Sequence, residues 1–463
     1  MDLIGKLWGF CNKLRHDGVD ASDYIEQLTY LLFLKMAEEK GVAVPKGYDW
    51  KSLISQDDEF LLPQLEKVLE KLKNEEGILG DIFSDPVSRV KNSKILKALI
   101  TEINSIQWTN FDGDIVGLTF EELIGRVANE GKKGAGQYFT PRPLIQTIVN
   151  VFKPNPLESA EFNVGDVAVG TAGFLITANE WFKEHHHTKK ISKSDKQRIQ
   201  NETYFGQELV QRPRRLALMN MFLHNINAQI KLGDTIYGQQ DDRLYSCILT
   251  NPPFGTKGAN QVPERNFPLK TSDKQLNFIQ HIIEKLKDQG RAAIVLPDSC
   301  LSSDPAKKMW SFYLNVDNSG TSVCNLHTIL KLPEGVFASY ANGIKACVIF
   351  LQKGRSTENT WIYDLRKDFT KITTKSNTLK LSHFSDFENS YGSDPNGGSI
   401  RQITDRFKIF SIEDIQKKNY DLSFVEVYTP EDLPHPDLII DEMIQDYKNK
   451  IEALMKLKSK LSN

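Results

Sequence analysis

The residues Asn251-Pro252-Pro253-Phe254 have the types and spacing needed to hold an amino group on a planar base. An exocyclic amine is a poor nucleophile because its lone pair is delocalised into the ring. An enzyme that alkylates it must therefore draw both N–H bonds towards acceptors. The Asn251 side-chain carbonyl and the Pro252 backbone carbonyl are two such acceptors. The two prolines stiffen the turn and remove competing N–H donors, and Phe254 would stack on the base.

The tetrapeptide follows Ser246–Thr250, a short and mostly apolar run that is typical of a buried parallel strand. Open α/β sheets bind their ligands at the carboxyl ends of such strands. The position therefore favours a binding site. On these four residues alone, an ordinary proline-containing loop is the alternative.

A second group of candidate residues lies on the preceding strands. The stretch Asp166–Leu175 follows an apolar run, is rich in small residues and opens a helix. Asp166 can take a cationic or hydroxyl group, Glu208 suits a pair of ribose hydroxyls, and Asp234 suits an adenine amine. A dinucleotide-dependent oxidoreductase is an alternative on these acids alone, and the proline turn favours methyl transfer. The small residues expected to let a ligand approach the backbone are Ala168, Gly170, Ala172 and Gly173.

Short apolar runs alternate with helical patterns from about residue 145 to 355, which predicts an α/β fold with a doubly wound, Rossmann-like sheet. Residues 1–130 show helical spacing and predict a helical N-terminal domain. We expect residues 131–385 to form the catalytic domain, and 386–463 a linker, with Phe387–Ser399 as loop, and a C-terminal helix. The predicted strands are Val164–Val169, Thr203–Phe205, Gln229–Leu232, Ser246–Thr250, Ala292–Leu296, His327–Leu332 and Ala346–Leu351.

Composition excludes several classes of protein. No stretch approaches the ~20 apolar residues of a membrane span, and no secretion signal is recognisable, so we expect a cytoplasmic protein with no membrane partner. The five cysteines have no C-x-x-C spacing and predict buried, inert thiols. We expect no metal site, because the adjacent His185, His186 and His187 cannot easily converge on one ion and are predicted to form a surface cluster at a helix end. The net charge of −2 argues against indiscriminate DNA binding, although Arg212, Arg214 and Arg215 form a candidate basic patch or a solvated surface.

The ordered motifs together resemble the methylation subunit of type I restriction-modification systems, which are S-adenosylmethionine-dependent DNA adenine N6-methyltransferases. They run from the string Gly136–Arg142 to Asn251–Phe254 and the strand Gly290–Pro297, and the similarity extends to Asn419–Ser423. The resemblance implies that the cofactor contacts the 136–142 string, Glu208 and Asp234. The residues that it assigns to the cofactor in the string and in the turn after Asp166 are Gln137, Tyr138, Phe139, Thr140, Pro141, Arg142, Asp166, Ala168, Gly170, Thr171, Ala172 and Gly173.

The turn after Asp166 departs from the family pattern. Val167, Val169 and Ala172 replace the usual proline, cysteine and one glycine, and the Ala172 methyl stands where the backbone is expected to approach the cofactor. A weakly active or non-catalytic subunit that clamps DNA is therefore one alternative function. Methylation of a protein glutamine is another, because an amide nitrogen poses the same chemical problem.

The chain has little room for a domain that reads several bases, since only about 110 residues follow the last predicted strand. We therefore expect sequence recognition to come from a partner. The resemblance implies double-stranded DNA, a specificity subunit, a motor-nuclease restriction subunit and a second copy of this chain as partners. The helical spacing of apolar residues in 438–461 predicts a helix that docks on the specificity subunit.

Overall fold

The computed structural model describes the chain from residue 2 to residue 424 with gaps. The described residues are 2–111, 116–117, 119–120, 122–123, 125, 140–186, 191–239, 242–254, 261–315, 322–337, 344–367, 372 and 378–424. The chain divides into two compact units, Met1–Asp421 and Leu422–Asn463. The predicted C-terminal helix over 438–461 and the string Gln137-Tyr138-Phe139 lie outside the described residues.

The N-terminal region is helical, as the apolar spacing predicts. Its first helix begins after Asp2, whose carboxylate accepts a hydrogen bond from the Gly5 amide at 2.9 Å and so caps the helix. The described helices of this region are α1 (Leu3–His16), α2 (Ala21–Lys40), α3 (Trp50–Ile54), α4 (Asp58–Leu72), α5 (Ile78–Phe83) and α6 (Ser93–Asn104).

The remainder of the first unit is built on a nine-stranded sheet with the order β3-β2-β1-β4-β5-β7-β6-β8-β9. Strands β1 to β5 are mutually parallel, whereas β7 is antiparallel to both β5 and β6. The strands are β1 (Val164–Asp166), β2 (Tyr204–Glu208), β3 (Gln229–Leu232), β4 (Tyr245–Thr250), β5 (Leu286–Pro297), β6 (Cys324–Lys331), β7 (Ala346–Lys353), β8 (Asn359–Asp364) and β9 (Phe407–Ser411). All seven predicted strands are confirmed, and so is the doubly wound α/β fold.

Helices connect the strands and cover the sheet. The described ones are α7 (Arg142–Phe152), α8 (Gly173–His186), α9 (Lys193–Glu202), α10 (Gln211–Leu223), α11 (Lys274–Lys285), α12 (Ser299–Ser302), α13 (Asp304–Leu314), α14 (Ser385–Tyr391) and α15 (Ile412–Lys417). From β1 the chain proceeds outwards to β2 and β3 and then returns to place β4 on the other side of β1. This reversal creates a crevice at the carboxyl ends of β1 and β4, where open sheets bind ligands.

The structure differs from the sequence prediction beyond β7. Strands β8 and β9 were not predicted, and they extend the sheet by pairing with β6 and with each other. The loop predicted for Phe387–Ser399 is wrong for residues 387–391, which belong to α14. Phe387 and Tyr391 are fully buried there against Phe350 of β7, and this tertiary packing overrides the polar composition of the segment.

The arginines on α10 pair with the N-terminal helical region. Arg215 forms an ion pair with Glu26 of α2 and donates to the Ile82 carbonyl at 2.7 Å. Arg214 pairs with Asp81 at 2.5 Å, and Arg212 pairs with Asp23 at 2.9 Å. Because Arg214 and Arg215 are buried, both readings of this cluster from the sequence, as a nucleic-acid patch or a solvated surface, are wrong for these two residues. They join α10, the helix that follows Glu208, to the N-terminal helices.

The five cysteines are buried and unbridged, which confirms their prediction as inert thiols. Burial raises the pKa of Cys247 and of Cys324 to about 12, so neither is a thiolate at neutral pH. His186, predicted on the surface, is instead buried and stacked on Phe182. Within the described ranges, no helix is both long enough and apolar enough to cross a membrane.

Candidate active site

The crevice between β1 and β4 contains a cavity of about 480 Å³, which is within the usual range for a small-molecule site. Asp166 ends β1, Glu208 ends β2, and Asn251 follows β4 directly. Since parallel strands end at the same edge of the sheet, these side chains meet in one cavity although 85 residues separate the first from the last. Asp234, Phe254, Thr140 and Arg142 also line it.

Asp166 is the most deeply buried carboxylate of the cavity. Its Oδ1 accepts a hydrogen bond from the Thr250 hydroxyl at 2.6 Å and one from the Ala168 amide at 3.1 Å. Burial nevertheless raises the pKa of Asp166 to about 7, with a smaller contribution from nearby Glu208. Asp166 is therefore poised to gain a cationic partner, because such a group would stabilise its charged form.

Glu208 holds the turn after β1 in place. One carboxylate oxygen accepts a hydrogen bond from the Gly170 amide at 3.0 Å, and the other accepts one from the Val210 amide at 3.0 Å. Gly170 has a φ of +53°, which is the left-handed region that favours glycine. Burial raises the pKa of Glu208, and the backbone donors of Val210, Gly170 and Leu209 oppose that rise. Each oxygen has a second lone pair that is available to a hydroxyl in the cavity.

Asp234 follows β3 and caps a turn. Its Oδ1 accepts hydrogen bonds from the Ile236 and Tyr237 amides, each at 2.8 Å. These bonds fix the carboxylate where it lines the cavity. Next to it, Thr235 donates its hydroxyl to the Val167 carbonyl at 2.7 Å, which joins this turn to the one after β1.

The two polar atoms of the Asn251 side-chain amide differ in their hydrogen bonding to the residues that the structure describes. Its Nδ2 donates to the Thr140 hydroxyl at 2.9 Å. Its Oδ1 is buried and has no hydrogen-bond partner among the residues that the structure describes. An unpaired buried carbonyl costs about 1–3 kcal/mol. An unpaired carbonyl that lines a cavity indicates an acceptor for a group on a bound ligand.

The rest of the turn is held rigidly. Pro252 is buried, and the Pro253 carbonyl accepts a hydrogen bond from Gln275 at 3.4 Å. Phe254 packs edge-to-face on the buried Phe337, with ring centroids 5.2 Å apart and the ring planes at 82°. This contact fixes the plane of Phe254, as a stacking platform requires.

Most of the predicted site residues that the structure describes line this cavity. They are Thr140, Arg142, Asp166, Ala168, Gly170, Thr171, Gly173, Glu208, Asp234, Asn251, Pro253 and Phe254. Pro141 instead occupies the N-cap position of α7, Pro252 is buried and is not one of the lining residues, and Ala172 lies fully buried in the hydrophobic core. The Ala172 φ of +67° is strained for an alanine, but its methyl group takes no room from the cavity.

Several side chains in or beside the cavity were not singled out from the sequence, among them Thr250, Gln275 and Lys274. Thr250 holds Asp166, Gln275 holds Pro253, and Lys274 lines the cavity from the start of α11. The signal for Thr250 was its place at the end of a strand, next to Asn251. Gln275 and Lys274 carry no comparable signal, because their approach depends on how α11 packs.

Comparison with known protein families identifies two matching models. The N-6 DNA Methylase model matches residues 111–435, and the HsdM N-terminal domain model matches residues 3–42. Among curated proteins, the EcoKI methylase subunit of a type I restriction enzyme from Escherichia coli K12 is 37% identical over 433 residues. That match covers 86% of this chain and 78% of the relative. The StySPI methylase subunit from Salmonella potsdam is 34% identical, with coverage of 98% of this chain and 95% of the relative.

Solved structures agree with these matches. The crystal structure of the EcoKI M protein is 30% identical, with a TM-score of 0.56 and coverage of 100% of this chain and 97% of that one. A chain from a study of complex assembly and conformational transition of the type I restriction-modification system is 26% identical. Its TM-score is 0.77, and the match covers 100% of this chain and 98% of that one.

Proposed function

Because this chain belongs to the N-6 DNA methylase family, as a methylase subunit of the type I restriction-modification kind, we propose that its cavity methylates N6 of adenine in DNA. The observation that carries the site assignment is the buried Oδ1 of Asn251, which has no hydrogen-bond partner within the part of the chain that the structure describes. An adenine offers an amine donor there, whereas a thymine offers a carbonyl that would be repelled. The acceptor therefore favours an amine over a carbonyl and prepares the amine nitrogen for reaction, and membership of the N-6 DNA methylase family assigns that amine to adenine rather than to cytosine, whose N4 is also a donor.

The chain acts on the adenine through two carbonyl groups. We propose that Asn251 Oδ1 and the Pro252 carbonyl each accept one N–H of the amine, which directs the nitrogen lone pair away from the ring plane. Both acceptors sit on a turn stiffened by two prolines, so no reorganisation is needed as the amine gains positive charge. Phe254 stacks on the base, and a target inside a duplex must first be flipped out of the stack to reach it.

The cavity fits S-adenosylmethionine, which supplies the methyl group on a sulfonium. We propose that Asp166 holds the ammonium group of its methionine part, Glu208 its ribose hydroxyls and Asp234 its adenine amine. The fit rests on donor chemistry: three carboxylates line a cavity of about 480 Å³ whose turns are already fixed by backbone hydrogen bonds. Burial disfavours the charged form of Asp166 and so raises its pKa, and a bound cationic group would stabilise that charged form.

We further propose that the chain methylates specific sites only as part of an assembly, with a separate subunit reading the DNA sequence. The assembly would also contain a second copy of this chain and, for restriction, a motor-nuclease subunit. Phosphate contacts position a protein on DNA, and base contacts specify the sequence. The described cavity has acceptors for one flipped base, so recognition of the neighbouring bases needs another surface.

We expect the purified chain to bind DNA weakly and without sequence preference, and to methylate one defined site when its specificity subunit is added. The measurement is single-molecule sequencing of adenine modification on unmodified host DNA, at physiological salt. The control is the specificity subunit alone. Methylation of a defined sequence by the isolated chain would contradict this part of the proposal.

Cofactor affinity should depend on pH through Asp166. Its pKa of about 7 means that it becomes neutral as the pH falls below 7. The neutral form attracts an ammonium group less, so affinity should decrease as the pH is lowered. The ionised fraction falls about eightfold between pH 7.5 and pH 6.0, which sets the expected loss. Calorimetric titration with S-adenosylmethionine at a series of pH values measures it.

Asp166→Asn is the matched variant for this pH effect. The amide oxygen can still accept from Thr250 and Ala168, so the local structure should persist. We expect weaker binding at pH 7.5 and a flatter pH profile, with any remaining slope due to Glu208. A variant with the wild-type profile would show that another group titrates.

A further inference from the structure

The pair formed by Asn251 and Thr140 determines what the cavity presents to a base. Asn251 Nδ2 donates to Thr140 Oγ1 at 2.9 Å, and the opposite atom, Oδ1, has no partner among the described residues. Both residues line the cavity that contains Asp166. The orientation of a single amide therefore decides whether an acceptor or a donor faces the target.

A threonine hydroxyl can either accept or donate a hydrogen bond, so this pair has two possible arrangements. In the arrangement of the structure, the Thr140 hydroxyl accepts from Nδ2 and the Asn251 carbonyl is left for the base. In the reverse arrangement, the hydroxyl donates to Oδ1 and the Asn251 NH2 group faces the base. The reverse arrangement places a donor against the adenine amine, which is itself a donor. The two arrangements keep the same hydrogen bond, so this bond alone does not select between them.

An acceptor for the Thr140 proton would select the arrangement that the structure shows. When the hydroxyl donates its proton elsewhere, its lone pairs remain for Nδ2, and the Asn251 carbonyl must face the other way. The surroundings suit an anionic acceptor. Thr140 lies just before α7, whose N-terminus carries a partial positive charge, and two cationic side chains line the same cavity: Lys274, and Arg142, which is ion-paired with Glu180.

We propose that Thr140 is the positioning residue for Asn251, and that a carboxylate bound in the cavity sets the Asn251 amide by accepting the Thr140 hydroxyl proton. This inference rests on the proposed function, in which the carboxylate is that of the methionine part of the cofactor. Binding of the carboxylate thereby prepares the cavity for an amine on the target base. The cavity should prefer adenine only when the carboxylate is present.

The test measures equilibrium binding, with no methyl transfer. The chain, assembled with its specificity subunit, is titrated with duplexes that carry either adenine or unsubstituted purine at the methylated position. Each titration is made with saturating S-adenosylhomocysteine, which has the carboxylate, or with saturating decarboxylated S-adenosylhomocysteine, which keeps the ammonium group and lacks only the carboxylate. We expect wild type to prefer adenine about tenfold with the first ligand, which corresponds to a hydrogen bond of about 1.4 kcal/mol, and less than about threefold with the second.

Two variants of Thr140 complete the test. Thr140→Ser keeps the hydroxyl and should behave as wild type with both ligands. Thr140→Val keeps the shape and removes the hydroxyl, so its preference for adenine should stay below about threefold with either ligand. Thermal unfolding of both variants checks that they are folded. If the valine variant does not fold, the comparison of the two ligands on wild type decides the question.

Two results would overturn the inference alone: a tenfold preference for adenine in the valine variant, or an equal preference with both ligands in wild type. If wild type shows no preference for adenine with either ligand, the inference fails, and methylation of DNA by the same assembly then decides the proposed function. N6-methylated adenine in the DNA would leave the proposed function standing, and its absence would overturn both.

Discussion

Replacing Asn251 by alanine is expected to abolish methyl transfer while leaving cofactor binding nearly unchanged. The variant loses the buried carbonyl that faces the target amine and keeps Asp166, Glu208 and Asp234. The loss of one preorganised acceptor costs about 10²–10³ in kcat, on the order of 3 kcal/mol in the barrier. Single-turnover methylation and calorimetric titration with S-adenosylmethionine separate the two effects.

The matched control is Asn74→Ala, which removes an exposed asparagine near the end of α4. It should methylate at the wild-type rate. A near-normal rate in the Asn251 variant would remove the central role of the proline turn. A loss of cofactor binding equal to the loss of rate would instead mean that Asn251 belongs to the cofactor's part of the cavity.

Glu208→Ala is expected to weaken S-adenosylmethionine binding by about 1.5–3 kcal/mol, or roughly 10- to 150-fold in Kd, the range for hydrogen bonds to a charged group. The variant loses an acceptor for the ribose and also loses the bonds that hold Gly170 and Val210. Both losses act in the same direction, because the turn after β1 would no longer be fixed. Calorimetric titration measures the change.

Two further variants make the Glu208 test specific. Glu208→Gln has one acceptor oxygen where the carboxylate has two, so its amide NH2 would oppose a backbone donor, and we expect weaker binding there too. Glu202→Ala, at the exposed end of α9, is the control and should bind as wild type. Unchanged affinity in Glu208→Ala would show that the ribose lies elsewhere.

The sequence predicted the part of the site that lies at strand ends. Asp166, Glu208 and Asn251 each end or follow a buried apolar run, and the order of the strands then brings them together. The apolar pattern and the strand order are enough to predict such a site, because parallel strands end at the same edge of the sheet. The same reasoning predicted the seven strands that the structure confirms.

The sequence could not predict what depends on packing between distant elements. Strand β9 is only partly buried and follows a polar segment, so its pairing with β8 carries little local signal. Arg215 is a basic residue on a helix, and its burial becomes favourable through distant partners, the Glu26 carboxylate and the Ile82 carbonyl of the N-terminal helical region. The partnership of Thr140 with Asn251 spans 111 residues and appears only once α7 is docked beside β4.

The most direct test is the chemical identity of the product. The chain, assembled with its specificity subunit, is incubated with S-adenosylmethionine labelled in its methyl group and with unmodified DNA. The DNA and protein fractions are then digested and analysed by mass spectrometry. The account predicts labelled N6-methyldeoxyadenosine in the DNA, and none when Asn251 is replaced by alanine. Label in a protein glutamine, in a methylated cytosine, or in neither fraction would contradict it.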